Sequence, residues 1–250
     1  MKEADQVYIE MVNASRLVES QWERLAKLWT RLSKESDPYG ATITAEMLRG
    51  YYTTESPRVT VTRWVAWEDE DPVGIATYGT FNTKENPHLV ELFFGVREDR
   101  RHRGIATRIL GPVSEKAESD GRSLLIVGTA DRAPSGGVVA RRLGARHVYT
   151  SVARRLNLED VDRGQLRRWL EEGPRRAGHI RLQFWEGSFP EVDKEDVAYL
   201  LNSIENDMPR MDMSMEDMEF TPDQVWGSRQ RNIKAGQLYW TYVARDLQTG

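Results

Sequence analysis

Leu89-Val90-Glu91-Leu92-Phe93-Phe94-Gly95-Val96-Arg97-Glu98-Asp99-Arg100-Arg101-His102-Arg103-Gly104-Ile105-Ala106-Thr107 is the stretch that decides the fold. Its first eight residues are apolar except for Glu91, the pattern of a strand in the middle of a sheet. The run ends at Val96 in a basic, glycine-containing loop. Residues 105 to 119 then place Ile109, Leu110, Val113 and Ala117 on one helical face. Gly121 closes that helix before the apolar strand Ser123 to Gly128. Strand, glycine loop, helix and strand in that order make a βαβ unit.

The loop carries chemistry because of where it lies. A helix that starts at about Gly104 leaves the backbone N–H groups of residues 102 to 107 without intrahelical acceptors. The helix dipole adds positive character, arginines surround the turn, and Gly104 with Ala106 leaves room for a bulky diphosphate. The loop lacks the lysine and hydroxyl of a P-loop and the three spaced glycines of a dinucleotide fingerprint. The plain alternative is a solvated basic turn in which Gly104 eases helix entry.

Working outward, Val7 to Val12 reads as a strand, and Trp22, Leu25, Leu28 and Leu32 mark one face of a helix over Ser20 to Lys34. Thr44 is a plausible N-cap for a shorter helix to about Tyr51. Val59 to Trp67 and Val73 to Thr80 read as a hairpin turned by Glu68-Asp69-Glu70-Asp71-Pro72. Beyond the βαβ unit, a short helix at Ser135 to Leu143 and a strand at Arg146 to Leu156 complete a compact unit over residues 1–156. A charged connector helix over 157–178 follows. Then the pattern restarts: His179 to Trp185 matches the first strand, Asp193 to Asn206 the first helix, Thr221 to Val225 the second helix, and Tyr242 to Asp246 the strand around Trp64 to Glu68. Residues 179–250 therefore read as the first part of a second copy.

Arg101-x-x-Gly104-x-Ala106, opening an amphipathic helix five residues beyond the end of a central strand, resembles the acetyl-coenzyme A motif of the GNAT acyltransferase superfamily. The order of elements over residues 7 to 156 is similar to GNAT as well, and the restart resembles the tandem-GNAT proteins that include mycothiol synthase. The resemblance implies an α/β (α+β) fold: a mixed, mainly antiparallel sheet flanked by helices, followed by the first half of a second GNAT-like unit. It also implies acetyl-CoA, or another acyl-CoA, as cosubstrate. In that family the strand before the motif parts from its neighbour and binds the pantetheine arm through free backbone groups, which assigns Phe94, Gly95 and Val96 here. The motif itself assigns the diphosphate to Arg101, His102, Arg103, Gly104, Ile105, Ala106 and Thr107.

The cosubstrate implies a mechanism. A neutral amine attacks the thioester carbonyl, so the protein must align the two, stabilise an oxyanion and remove a proton from the amine. Glu91 is the candidate base, since several GNAT enzymes place a glutamate on this strand. A charge amid Leu89, Val90, Leu92 and Phe93 also invites a raised pKa. Alternatively Glu91 faces solvent on an alternating strand or pairs with an arginine. GNAT enzymes often protonate the leaving thiolate with a tyrosine on the short helix after the motif unit, but Ala140 stands there, and Ser135 or Tyr149 would have to substitute. Glu98 replaces the proline common two residues past the strand. Two functions stay open: an N-acyltransferase acting on a small-molecule primary amine in a ternary complex, or a non-catalytic acetyl-CoA-binding unit of structural or sensing role, with catalysis in a second unit beyond Gly250.

Composition narrows the classes. With 39% hydrophobic and 30% charged residues the chain supports a sizeable core. No cysteine is present, which excludes disulfides and thiolate chemistry. The formal net charge of -4 argues against a nucleic-acid or anionic-membrane partner. The polar start Met1 to Gln6 and the short apolar runs predict a cytoplasmic protein with no membrane span. The four histidines are scattered and predict no metal site. The acidic, methionine-rich stretch from Asn206 to Glu219 suits either a border of the acceptor cleft or a solvated loop whose methionines pack onto the domain interface. At roughly 150 residues per domain the 250 residues amount to one unit and part of another. This suggests a fragment, or a half-sheet completed by another chain, as in a homodimer.

Overall fold

The computed structural model describes residues 7–208 and 212–249, so the leading Met1 to Gln6 and the Pro209-Arg210-Met211 part of the methionine-rich stretch lie outside the described residues. The chain divides into two compact units, residues 7–147 with 205–208 and 214–219, and residues 148–204 with 212–213 and 220–249.

The first unit is built on a five-stranded sheet of order β1-β2-β3-β4-β5, with β1 Tyr8–Met11, β2 Val59–Glu68, β3 Asp71–Phe81, β4 Leu89–Val96 and β5 Leu124–Val127. Strands β1 to β4 run antiparallel and only β4–β5 is parallel, because helix α3 (Ile105–Ser119) is the crossover between them. The sheet is thus mixed and mainly antiparallel. One face packs on α3, where Ile105, Ile109, Val113 and Ala117 meet Trp64, Ala66, Val73, Val90, Leu92 and Val96. Helices α1 (Glu19–Ser36) and α2 (Ala45–Thr53) cover the other face. There Trp22, Leu25, Leu28 and Leu32, the stripe expected from spacing, are buried against Val65, Trp67 and Ile75. Thr44 caps α2, its side chain accepting from the Met47 N–H.

Two glycines let the helices approach. A Cβ at Gly74 would lie 2.8 Å from Ile109 Cδ1, and one at Gly95 would lie 2.9 Å from Leu32 Cδ1. They are offset by one residue in the β3–β4 register. Gly95 therefore serves the seating of α1, and Gly74 that of α3.

The strand expected over residues 146 to 156 does not form. Alternation alone makes an extended segment; a strand also needs a ladder partner, and none pairs with this segment among the described residues. The short helix is present as α4 (Pro134–Arg142) and the connector helix as α5 (Arg163–Arg176). In the second unit β6 (Ile180–Glu186) pairs antiparallel with β7 (Trp240–Asp246), with α6 (Lys194–Asp207) and α7 (Pro222–Lys234) between them in sequence. This is the same succession as β1, α1, α2 and β2. Its core is small, centred on Phe189, Ala198 and Val225, while Leu182, Phe184, Trp240 and Tyr242 on the opposite sheet face stay exposed.

Residues 214–219 belong to the first unit although they follow α6 in sequence. The Asn86 side chain accepts from the Glu216 N–H at 2.8 Å and donates to its carbonyl at 3.2 Å. His88 Nε2 lies 3.0 Å from the Ser214 carbonyl, and Arg58 donates to the Glu219 carbonyl. Asn86 is almost wholly buried as a result.

We expect Gly95→Ala to lower unfolding free energy by about 1–3 kcal/mol, as over-packing a tight core does. Gly137→Ala within α4, whose nearest neighbour would be the flexible Arg141 tip, should raise it by about 0.5–1 kcal/mol. Urea midpoints of the two variants against the parent chain check both signs.

Candidate functional site

The site begins where β4 and β5 part. Their ladder ends at Leu92 opposite Val127, while β4 continues to Val96. The Arg97 N–H bonds to the Val73 carbonyl, so alternate residues 95 and 93 also turn their backbone groups to β3. The backbone groups of Phe94 and Val96 face the open side. Gly95 does not offer its N–H or carbonyl there, and the Val96 carbonyl already accepts from Arg101 Nε at 3.0 Å. What remains open is the Phe94 N–H and carbonyl and the Val96 N–H.

The loop after β4 turns on two left-handed residues, His102 (φ 62) and Gly104 (φ 76). Gly104 is the N-cap of α3. A Cβ there would meet nothing within 4 Å, so this glycine answers the backbone angle, and the space above it is open. The first backbone bond of the helix runs from Arg108 N–H to the Gly104 carbonyl. The N–H groups of His102, Arg103, Gly104, Ile105, Ala106 and Thr107 have no acceptor among the described residues. Six consecutive free donors at the positive end of a helix make a nest of the kind that attracts anions.

The arginines hold this nest in shape. Arg101 pairs with Glu35 on α1, and Arg100 Nε lies 2.5 Å from Glu68 Oε2 at the end of β2. Arg103 lies 3.8 Å from the same carboxylate, and Arg97 lies 2.8 Å from Asp99. Glu68 is buried, which makes its pairing with Arg100 a fixed anchor. Arg101 is thus spent on Glu35 and the Val96 carbonyl, whereas Arg103 is more than half exposed. Ile105 is buried in the α3-side core and offers only its N–H, whereas His102, Gly104 and Thr107 are exposed and Ala106 is half-buried. Sequence reasoning missed Glu35 and Glu68. Their only signal was a carboxylate near the end of the first helix and another at the hairpin turn.

Glu91 lies on the face that carries α1 and α2. Phe93, two residues on, stacks on Trp29 of α1 with ring centroids 4.9 Å apart. Glu91 is opposite Gly79 on β3 and Ile126 on β5. Its side chain reaches solvent, yet surrounding protein withdraws water from it, and that desolvation raises its pKa above the usual carboxylate range. No arginine pairs with it among the described residues. Ala140 is on α4, whose residues are half-buried or exposed, and Tyr149 is 40% exposed in an unpaired segment. No group of three or more metal-ligating side chains converges among the described residues, and no helix there is long and apolar enough to cross a membrane.

Residues 22–153 match the model of the acetyltransferase (GNAT) family. No curated protein matches the sequence. Among solved structures, a tandem GNAT protein from the clavulanic acid biosynthesis pathway, determined without AcCoA, is 16% identical with a TM-score of 0.70, covering 98% of this chain and 71% of that one. The fold is therefore shared across both units. A ribosomal-protein-alanine N-acetyltransferase from Brucella melitensis biovar Abortus 2308 matches with 15% identity and a TM-score of 0.43, over 60% of this chain and 100% of its own. An aminoglycoside acetyltransferase from an uncultured soil metagenomic sample, solved with sisomicin, matches with 13% identity and a TM-score of 0.46, over 60% and 97%.

Gly104→Ala forces a side chain into left-handed backbone and should cost about 1–2 kcal/mol. Thermal unfolding followed by circular dichroism reads it, and a variant as stable as the parent would show that the turn has another conformation.

Proposed function

Because the chain belongs to the acetyltransferase (GNAT) family, we propose that its first unit moves an acetyl group from acetyl-CoA to the primary amine of a small molecule. The observation that carries this reading is the row of six unpartnered N–H groups from His102 to Thr107 beside a parted strand. That arrangement fits a pantetheine diphosphate: the nest takes the diphosphate, and the open groups of Phe94 and Val96 take the amides of the arm. Arg101 acts as a positioning residue through Glu35 and the Val96 carbonyl. Gly95 acts by letting α1 approach the sheet. Acetyl-CoA supplies an activated acyl carbon and a thiolate leaving group.

In the reaction the amine nitrogen forms a bond to the acyl carbon, the carbon–sulfur bond breaks, and the amine gives up a proton. Glu91 receives that proton. A base must be ionised to act, and desolvation makes this carboxylate a stronger base than an exposed one. Holding cosubstrate and acceptor on one sheet supplies the alignment, the largest entropic part of such catalysis.

A second reading keeps acetyl-CoA and drops turnover. Ala140 on α4, where a thiolate-protonating tyrosine would be expected, favours a binding unit with a structural or sensing role. Calorimetry with acetyl-CoA, followed by free-thiol release across an amine panel, separates the two. Binding with release supports transfer, binding without release supports the second reading, and absence of binding sinks both. Under the first reading Glu91→Gln lowers kcat by about 10²–10⁴-fold with acetyl-CoA affinity unchanged. Activity of the parent rises with pH through the raised pKa of Glu91, since only the ionised form accepts a proton. The acid limb of the pH profile should lie above the ordinary carboxylate range and vanish in the glutamine variant.

A further inference from the structure

Arg63 is an anomaly among the arginines of the first unit. It is on β2, only 9% exposed, and more buried than Arg24, Arg97, Arg100 or Arg101, each of which has a carboxylate partner. No carboxylate pairs with Arg63 among the described residues, and its buried Nε has no hydrogen-bond acceptor. The two tyrosines of α2 supply its contacts, a side-chain hydrogen bond to Tyr51 and the faces of both rings. Its guanidinium carbon lies 4.0 Å from the centroid of Tyr52 and 5.2 Å from that of Tyr51. Desolvation lowers its pKa, the expected direction for a cation kept from water without a counter-ion. A buried cation without a counter-ion is costly, and a sheet would be more stable with an apolar residue in its place.

The neighbours of Arg63 are those of Glu91. The register pairs Arg63 with Thr77, and Thr77 with Phe93, on the face that carries α1 and α2. The next row along holds Val61, Gly79 and Glu91. The Thr77 hydroxyl is also buried without a partner. Gly79, having no side chain, leaves the sheet low beside Glu91, and a Cβ added there would have ordinary clearance. Tyr52 is locked, its hydroxyl accepting from Trp29 Nε1 at 2.9 Å. Tyr51 is 59% exposed and hydrogen-bonded to Arg63, so it is the side chain through which a ligand would have to reach the guanidinium, by taking the place of that hydrogen bond. From strand spacing and rise, the Cα atoms of Arg63 and Glu91 are about 12 Å apart, with the Phe93–Trp29 stack beside the line that joins them.

We propose that the acceptor carries a carboxylate as well as its amine, the carboxylate received by Arg63 and Thr77 while the amine faces Glu91. The inference rests on the reading of Glu91 as the amine end of the site. A planar carboxylate suits one guanidinium and one hydroxyl, which together offer the charge and donors a monoanion needs. A phosphate dianion would call for a second cation, and the nearby Arg49 is committed to Glu19. The acceptor class is then amino acids and related amino carboxylates, with ω-amino acids and the lysine side chain matching the longer separation.

The test uses the full chain loaded with acetyl-CoA and matched pairs that differ in one carboxylate: 4-aminobutyrate and butylamine, lysine and cadaverine, glycine and glycinamide. Calorimetry should show the carboxylate member of at least one pair binding about ten-fold tighter, the scale of one charge-assisted pair. Arg63→Gln should erase that difference with acetyl-CoA affinity unchanged, and the near-isosteric Thr77→Val should reduce it, which keeps the test open if the glutamine variant folds poorly. Equal binding within every pair, or discrimination that survives both substitutions, overturns the inference. Thiol release separates it from the broader reading. Turnover of amines without carboxylate preference leaves acyl transfer standing and removes the carboxylate site. Arg63-dependent binding without release does the reverse.

Discussion

Buried or crowded backbone donors must find acceptors, and six in a row at the head of α3 find none among the described residues. The rest of the first unit is arranged around keeping that row available. Gly104 turns the chain through left-handed backbone so that the helix starts directly after the loop. Glu35 and Glu68 take up Arg101 and Arg100, so side-chain charge shapes the loop and leaves the backbone to face outward. The parting of β4 from β5 at Leu92 extends the same open line along the strand.

The two faces of the sheet divide the remaining labour. The α3 face is apolar from Val90 to Val96 and supplies stability. The α1–α2 face is apolar at its centre but carries Glu91, Thr77 and Arg63 in adjoining rows. Polar groups in such positions cost stability, and their cost has an explanation if a ligand completes them. Gly74 and Gly95 allow helices to press on both faces at neighbouring register positions, so the site is built on rigid elements rather than on loops.

Much of this was legible in the chain itself. Strand β4 and helices α1 and α3 follow from long, strongly periodic runs, and the restart at residue 179 follows from repeated order. The strand expected at 146 to 156 failed because pairing is a tertiary property that alternation cannot supply. Arg101 and Gly95 carry motif positions, yet the fold turns the first toward Glu35 and the second toward β3 and Leu32. Residues 214–219 join the first unit through Asn86, a link across 130 positions that no local pattern announces.

Sequence by itself determined the order of elements, the helix that opens at Gly104 and the chemistry of a basic, glycine-containing turn, because these depend on neighbours within a few residues. Only the tertiary structure decided which donors stay free, which arginines are spent on carboxylates, and that Arg63 is buried on the same face as Glu91. Those outcomes depend on strand register and helix seating, in which residues far apart in the chain compete for the same partners.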